Sequence, residues 1–384
     1  MPLHILILML AVCAALQSCT PNKLERGFRP GADDWRMYGG RMERTNAGGT
    51  AVQPPLLKAW EYGAGAGFSC YSAAIVDSTV VVGTLQGEVH FIDVGTGHGL
   101  GSHDFGSAIV GTPVVDKQFI FVALAHDEES LVAYNVTLGD IEWKAKIGDI
   151  ESSPLLVDDR LYVASVNGKL FCLNKVTGQT IWTFAIAPSR QMSAIHSSPA
   201  SDGNAVFFGC DNGDLYAVGL EDGKLRWRGR TGGSIMASPS LSGGTVYVGS
   251  LDRAVHAFDA ATGRQLWKRS LGANIFSSQA VDDRHVYIGT AGRTLYCLNK
   301  DDGSIVWTFT AKGGFSASPL LSGDVLYAGC LDRTLYAFNA YTGEVLWQFK
   351  STGRIKSTPV AWKQRLVVLA EDDNVMAFKP EAAP

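Results

Sequence analysis

The chain is poor in the signals that mark chemistry. No two of its cysteines are adjacent, it has no glycine-rich phosphate loop and no His-x-x-x-His pair, and its eight histidines are scattered. Vicinal-thiol redox chemistry, a nucleotide cradle and a helical zinc site are therefore not written in it. Charge is scarce too: 18% of residues are Asp, Glu, Lys or Arg, and the net charge is −4. Without a basic excess there is no electrostatic footprint for nucleic acid. Stretches of helical period are few among 384 residues that include 43 glycines, so one large all-β domain is expected rather than a helical solenoid or two domains.

What is present is repetition. The phrase DAATGRQLWKRSLG (259–272) returns 40 residues later as NKDDGSIVWTFTAKG and after another 40 as NAYTGEVLWQFKSTG. Its Gly-x-x-x-Trp core also stands at Gly139/Trp143, Gly178/Trp182 and Gly223/Trp227, with a degenerate copy at Gly97 that has Gly101 where Trp is expected. A second marker, Ser or Thr usually followed by Pro, stands at Ser72, Thr112, Ser153, Ser198, Ser238, Ser278, Ser318 and Thr358, spaced 40, 41, 45, 40, 40, 40 and 40 residues. Units of that length are four-stranded propeller blades. Inside a unit the apolar period is two. Turns such as VNG (166–168) and DNG (211–213) join the second and third strands, and the Asx-x-x-x-Gly phrase joins the third and fourth. Tryptophan, with ~150–250 Å² to bury and one N–H, suits a wedge between neighbouring blades. Structural joints are thus expected at Trp60, Trp143, Trp182, Trp227, Trp267, Trp307 and Trp347. The eighth unit has residues for only three strands, whereas PPLLKAWEYG (54–63) is a lone fourth-type strand carrying Trp60. The fold expected is an eight-bladed β-propeller closed by that N-terminal strand, which removes open sheet edges.

The first residues read as an export signal. LHILILMLAVCAALQSC is apolar but too short and too early for a comfortable membrane span. Leu16-Gln17-Ser18-Cys19 resembles a bacterial lipobox, which makes Cys19 the expected lipidation site. Thr20, where Asp would retain a lipoprotein in the inner membrane, points to the outer membrane and its periplasmic side. The organisation expected is a lipoprotein signal peptide at 1–18, a tether and lead-in at 19–53, the propeller at 54–379 and a tail at 380–384. A monomeric ring that meets the membrane through its lipid anchor only is expected. The five cysteines after Cys19 form no disulfide framework, since Cys172 and Cys297 share one repeat position and Cys210 and Cys330 another.

The Ser-Pro marker followed by LYVAS, a glycine turn and FCLNKVTGQTIW resembles the pyrroloquinoline quinone (PQQ)-type propeller repeat across residues 54–379. DDWRMYGGRMERTN (33–46) is similar to the lead-in of such proteins. Two groups use that repeat: soluble quinoprotein dehydrogenases, and the BamB family of lipoproteins of the outer-membrane β-barrel assembly machine. The lipobox and eight bare blades resemble the second group, as does the long fourth inter-blade connection (182–199). That resemblance implies a non-catalytic scaffold in outer-membrane protein assembly, with protein partners and no cofactor. Where the family carries a Leu-x-Leu-Arg contact, this loop reads Gln191, Met192, Ser193, Ala194, and the family's acidic contact loop is replaced by the short GRTGGSIMASP (229–239). The partner's identity therefore stays open. One alternative is a PQQ-like propeller binding another envelope protein, a glycan or a small ligand. Another is a PQQ-dependent dehydrogenase, which needs a Cys-Cys pair, a Ca²⁺ site and an Asp base and would bind added PQQ and Ca²⁺ as a chromophore.

Variation between blades points to the binding face. Two residues before each marker stand Cys70, Val110, Glu151, His196, Met236, Phe276, Ser316 and Lys356, a ring around the axis on the face that also carries the turns between second and third strands. In three of those turns Arg253, Arg293 and Arg333 stand where other blades have Gly. If the turn is unchanged, each sits in a left-handed conformation that costs ~1 kcal/mol or more, and a cost repeated three times suggests a carboxylate-gripping arc. The alternative is another turn type with ordinary solvated arginines. Expected partner-binding residues are thus Glu151, His196 and Lys356 at the rim, Arg190, Gln191 and Met192 in the long loop, and the three arginines. No catalytic or metal-binding residue is expected. His90 and His256 share a position held elsewhere by Tyr and read as packed aromatic substitutes. An outer edge or loop can also take a client strand by β-augmentation.

Overall fold

Alternation of apolar and polar residues, cut by glycine and Asx turns, makes each unit a meander of four antiparallel strands, here called A to D from the axis outward. The computed structural model describes residues 22–48, 51–187 and 193–381 and contains eight such blades. Blade 3 is representative: Leu155–Val157, Arg160–Ser165, Lys169–Asn174 and Thr180–Ala185. Strands A to C are largely buried and D is half exposed, which is why the period of two shows most clearly in D. Leu56–Gly63 pairs antiparallel with Asn374–Pro380, Trp60 opposite Ala377, so the N-terminal strand completes blade 8 and closes the ring.

The recurring phrase is a joint with two halves. Trp227 donates its Nε1–H to the carbonyl of Ala260 in the next blade at 2.8 Å, and Trp60, Trp143, Trp182, Trp267 and Trp307 make the equivalent bond to Val94, Lys175, Leu220, Lys300 and Ala340. The indole lies over the glycine of that next C–D turn: a Cβ on Gly263 would come within 2.5 Å of Trp227. Glycine is thus required twice, for its left-handed φ of 73° and for the close approach. Trp347 makes its joint by ring packing on Phe378. Just before each Trp the outer strand bulges, as between Thr180 and Trp182 opposite Leu173 and Cys172, a device that kinks a sheet edge against pairing with other chains.

The Ser/Thr markers form a girdle around the axis. The amide of Thr112 donates to Ser153 Oγ (2.8 Å), Ser153 to Ser198 (2.9 Å), Ser198 to Ser238 (3.0 Å), Ser238 to Ser278 (2.9 Å) and Ser278 to Ser318 (2.9 Å). The innermost strands of blades 2 to 6 are thereby each satisfied by the next blade's side chain, as buried amides require. Cys172, Cys210, Cys297 and Cys330 are buried free thiols and Cys70 is exposed.

Residues 22–48 cross the face that carries the A–B and C–D turns. Leu24 and Phe28 donate to Val136 and Lys117 (2.6 and 2.8 Å), and Trp35 pairs with Ile75. The carbonyls of Met42, Glu43, Thr45 and Asn46 then accept from Ser201, Leu241, Val281 and Leu321 in blades 4 to 7. Ala47–Gly48 ends this strap as a parallel fifth strand beside Leu320–Ser322. Its beginning fills the joint that lacks tryptophan: a Cβ on Gly139 would meet Asn22 and Lys23 instead of an indole, and Tyr134 Oη donates to the Asn22 carbonyl.

Candidate functional site: the funnel face

The opposite face carries the B–C turns and the D-to-A connections, and the variable slots ring its axis. Glu151 and His196 meet there. His196 Nδ1 lies 3.1 Å from Asp211, and Nε2 lies 3.6 Å from Glu151 Oε2. The hydrogen bond with Asp211 raises the His196 pKa against partial burial, with the charges of Asp211 and Glu151 adding to it. Lys356 does not join them. It is held by Glu371 at 2.7 Å, and Glu371 also takes both arms of Arg354. Arg354 and Lys356 bring Glu371 down to about 2. Phe276 is 44% exposed on the same ring.

The funnel has a filled floor. Tyr71 Oη donates to the His196 carbonyl (3.1 Å), and its ring meets Tyr38 edge-on at 4.9 Å. Beneath them Arg44, fully buried, donates to four carbonyls: Pro199 at 2.5 Å, Tyr38 at 2.7 Å, and Ser153 and Pro154 at 3.1 Å. No carboxylate faces it among the described residues, and burial lowers its pKa to about 10. A buried cation so arranged cross-links the inner ends of blades 3 and 4 to the strap. A quinone cofactor with Ca²⁺ does not fit this axis. Cys70, the thiol of the ring, is followed by Tyr71 rather than by a second cysteine, the floor is occupied by Tyr38 and Arg44, and among the described residues no three His, Cys, Asp or Glu converge as a metal site.

The three arginines hold the left-handed position, with φ of 69° at Arg253, 70° at Arg293 and 71° at Arg333. The turn is the same as in blades 3 and 4, where Gly168 and Gly213 have φ of 73° and 86°. All three side chains are exposed and none has an ion pair or side-chain hydrogen bond among the described residues. The neighbouring acids are engaged elsewhere: Asp252 with Lys268 (2.9 Å) and His256, and Asp332 with Tyr336 Oη (2.9 Å). His256 is buried and stacks on Phe258, and His90 bonds Tyr62 Oη at 3.1 Å, so both are packed ring residues. Arg190, Gln191 and Met192 lie outside the described residues, as does Cys19. Sequence reasoning missed Arg44, Asp211, Arg354 and Glu371. Asp211 and Glu371 open the turns between second and third strands, a place whose residue type varies from blade to blade, and Arg44 lies outside the repeats, so the repeat pattern did not single them out as charged partners.

With this geometry in hand, comparison with known proteins is informative. A family model described as outer membrane protein assembly factor BamB matches residues 56–184, 167–274 and 251–382. Outer membrane protein assembly factor BamB of Shewanella oneidensis is 25% identical over 170 residues, 40% of this chain and 41% of that protein. The match thus spans less than half of either chain. Among solved structures, BamB from Moraxella catarrhalis superposes with a TM-score of 0.71 at 17% identity, covering 84% of this chain and 99% of that one. A quinohemoprotein alcohol dehydrogenase from Pseudomonas putida HK5 reaches 0.79 at 14% identity, covering 92% and 82%. At such identities the structural likeness concerns the fold alone.

Proposed function

Because the chain belongs to the family of outer membrane protein assembly factor BamB, we propose that it is a non-catalytic scaffold lipoprotein that assists β-barrel assembly in the outer membrane. It is tethered through Cys19 on the periplasmic side and offers its funnel face to a protein partner. The observation that carries this reading is the family match, which extends through the propeller from residue 56 to residue 382. The funnel supports it chemically. His196 is tied to both Glu151 and Asp211, Lys356 is tied to Glu371, and the axis beneath is filled. What the face offers is a rigid surface with exposed arginines and an exposed Phe276.

The test is crosslinking of the tagged chain in its own membranes, gentle detergent extraction, and identification of co-purifying proteins by mass. Recovery of the barrel-forming assembly subunit is the expected result. Recovery of a different envelope protein alone would overturn the assembly role and leave a propeller serving another partner. That second reading is favoured by one observation, the sequence Gln191-Met192-Ser193-Ala194 in the long fourth connection.

A further inference from the structure

We propose that Arg253, Arg293 and Arg333 form a docking arc for an acidic, extended segment of a partner protein. Three observations on the funnel face lead there. Each arginine occupies a left-handed turn position, φ 69° to 71°, that glycine fills in blades 3 and 4. A side chain there strains the backbone, and such strain persists where something else over-determines it. The hairpin's own backbone bonds hold the conformation, as from the Arg253 amide to the Ser250 carbonyl (3.1 Å) and from the Leu271 amide to the Arg253 carbonyl (2.8 Å), but they do not use the side chains, and the three guanidinium groups have no partner among the described residues. Asp373 holds the same position in blade 8 at φ 65°, so the turn tolerates a side chain; what sets the arginines apart is three like charges left unpartnered on successive blades.

The surroundings are consistent with an anionic ligand. Arg230 and Lys312 on the same side of the ring are also exposed and without a side-chain partner among the described residues. The corresponding turn of blade 2 carries acids instead, Asp127, Glu128 and Glu129, the two glutamates facing Lys146 and Lys144 at 3.7 and 3.6 Å. The unpartnered cations Arg230, Arg253, Arg293, Lys312 and Arg333 therefore lie together on blades 4 to 7 and give a docking segment both a place and a direction.

Geometry narrows the class of ligand. Sheets packed face to face lie ~10 Å apart, so an arc over three successive blades spans at least ~20 Å. No small carboxylate reaches across it, whereas an extended peptide at ~3.3 Å per residue does so with about six residues. A membrane surface is disfavoured by the strap, which enters on the other face: Asn22 lies against the C–D turn at Gly139 and Phe28 bonds Lys117 in an A–B turn. A lipid tether N-terminal to Asn22 would turn the arginines away from its own bilayer. Each guanidinium presents the planar fork that grips a carboxylate in two-point fashion.

The proposal deepens the scaffold reading and rests on it, but its test is separate. Fluorescence anisotropy of a labelled ten-residue oligoglutamate is measured with the detergent-extracted full chain and with the Arg253→Gly, Arg293→Gly, Arg333→Gly triple variant. The expected result is salt-sensitive binding that weakens roughly tenfold or more in the triple variant, while its Tm is unchanged or higher. The corresponding triple Lys variant, which keeps charge but loses the fork, should fall between the two. Equal oligoglutamate binding by wild type and triple Gly variant overturns the proposal, and so does a lower Tm, which would make the arginines structural. Vesicles containing phosphatidylglycerol serve as the second probe. Arginine-dependent vesicle binding without oligoglutamate binding would assign the arc to a lipid headgroup instead. Failure of the barrel assembly subunit to co-purify with wild type, by contrast, bears on the assembly role and leaves oligoglutamate binding as it was.

Discussion

The blade joint makes a quantitative prediction through Gly303 and Gly139, which hold the same place in their turns but meet different neighbours. An alanine Cβ at Gly303 would lie 2.6 Å from Trp267 Cε3 and 2.9 Å from Cδ2. The indole cannot swing aside freely, since its Nε1–H is bonded at 2.9 Å to the Lys300 carbonyl in the same turn. At Gly139 the Cβ would meet the Asn22 amide and Lys23 Cβ no closer than 3.2 Å. Both glycines are left-handed, φ 68° and 79°, so Gly→Ala costs about 1–2 kcal/mol at either site, partly offset by reduced freedom of the unfolded chain. Gly303→Ala adds overpacking of about 1–3 kcal/mol and strains a hydrogen bond worth about 1 kcal/mol. Urea unfolding should therefore show Gly303→Ala less stable than Gly139→Ala by about 2–4 kcal/mol. Adding Trp267→Leu to Gly303→Ala should cost less than the sum of the two single changes, because they share one contact. Equal losses at the two glycines, or strict additivity with Trp267→Leu, would refute the joint as the source of the requirement.

Ring closure and the rim histidine are testable in the same way. Trp60→Ala should lose about 3–5 kcal/mol, and deletion of 54–63 should lower the Tm by many degrees because Asn374–Pro380 becomes an open edge; an unchanged melting curve would show that the N-terminal strand does not close the ring. His196 is raised above its ordinary ~6.5 by its bond with Asp211, so its stabilisation is fully present below that ordinary value and is lost as pH rises through the raised one. His196→Gln should flatten stability against pH in that interval, and parallel profiles for variant and wild type would remove His196 from the account.

Eight blades, the tryptophan positions and the closing strand were legible in the chain, because each depends on local chemistry repeated about every 40 residues, whereas the conformation of the three arginines was left open between two turn types. Repetition lets one unit check another, but only the structure shows that Arg253 keeps the left-handed turn of Gly168 and Gly213. The strap offers no such check. Residues 22–48 are polar and occur once, so their course over blades 1 to 7 follows from no pattern. Arg44 is the sharpest case. In a glycine-rich polar stretch an arginine reads as solvated, and only the assembled ring brings the carbonyls of Ser153, Pro154 and Pro199 to it. The markers Ser153 to Ser318 were visible as punctuation, but their linkage needs the adjacency of successive innermost strands. Glu151 and His196 meet while Lys356 turns to Glu371 for the same reason. Sequence sets which groups repeat around the axis; closure of the ring decides which of them come within a few ångströms, because distances across it depend on all eight blades together.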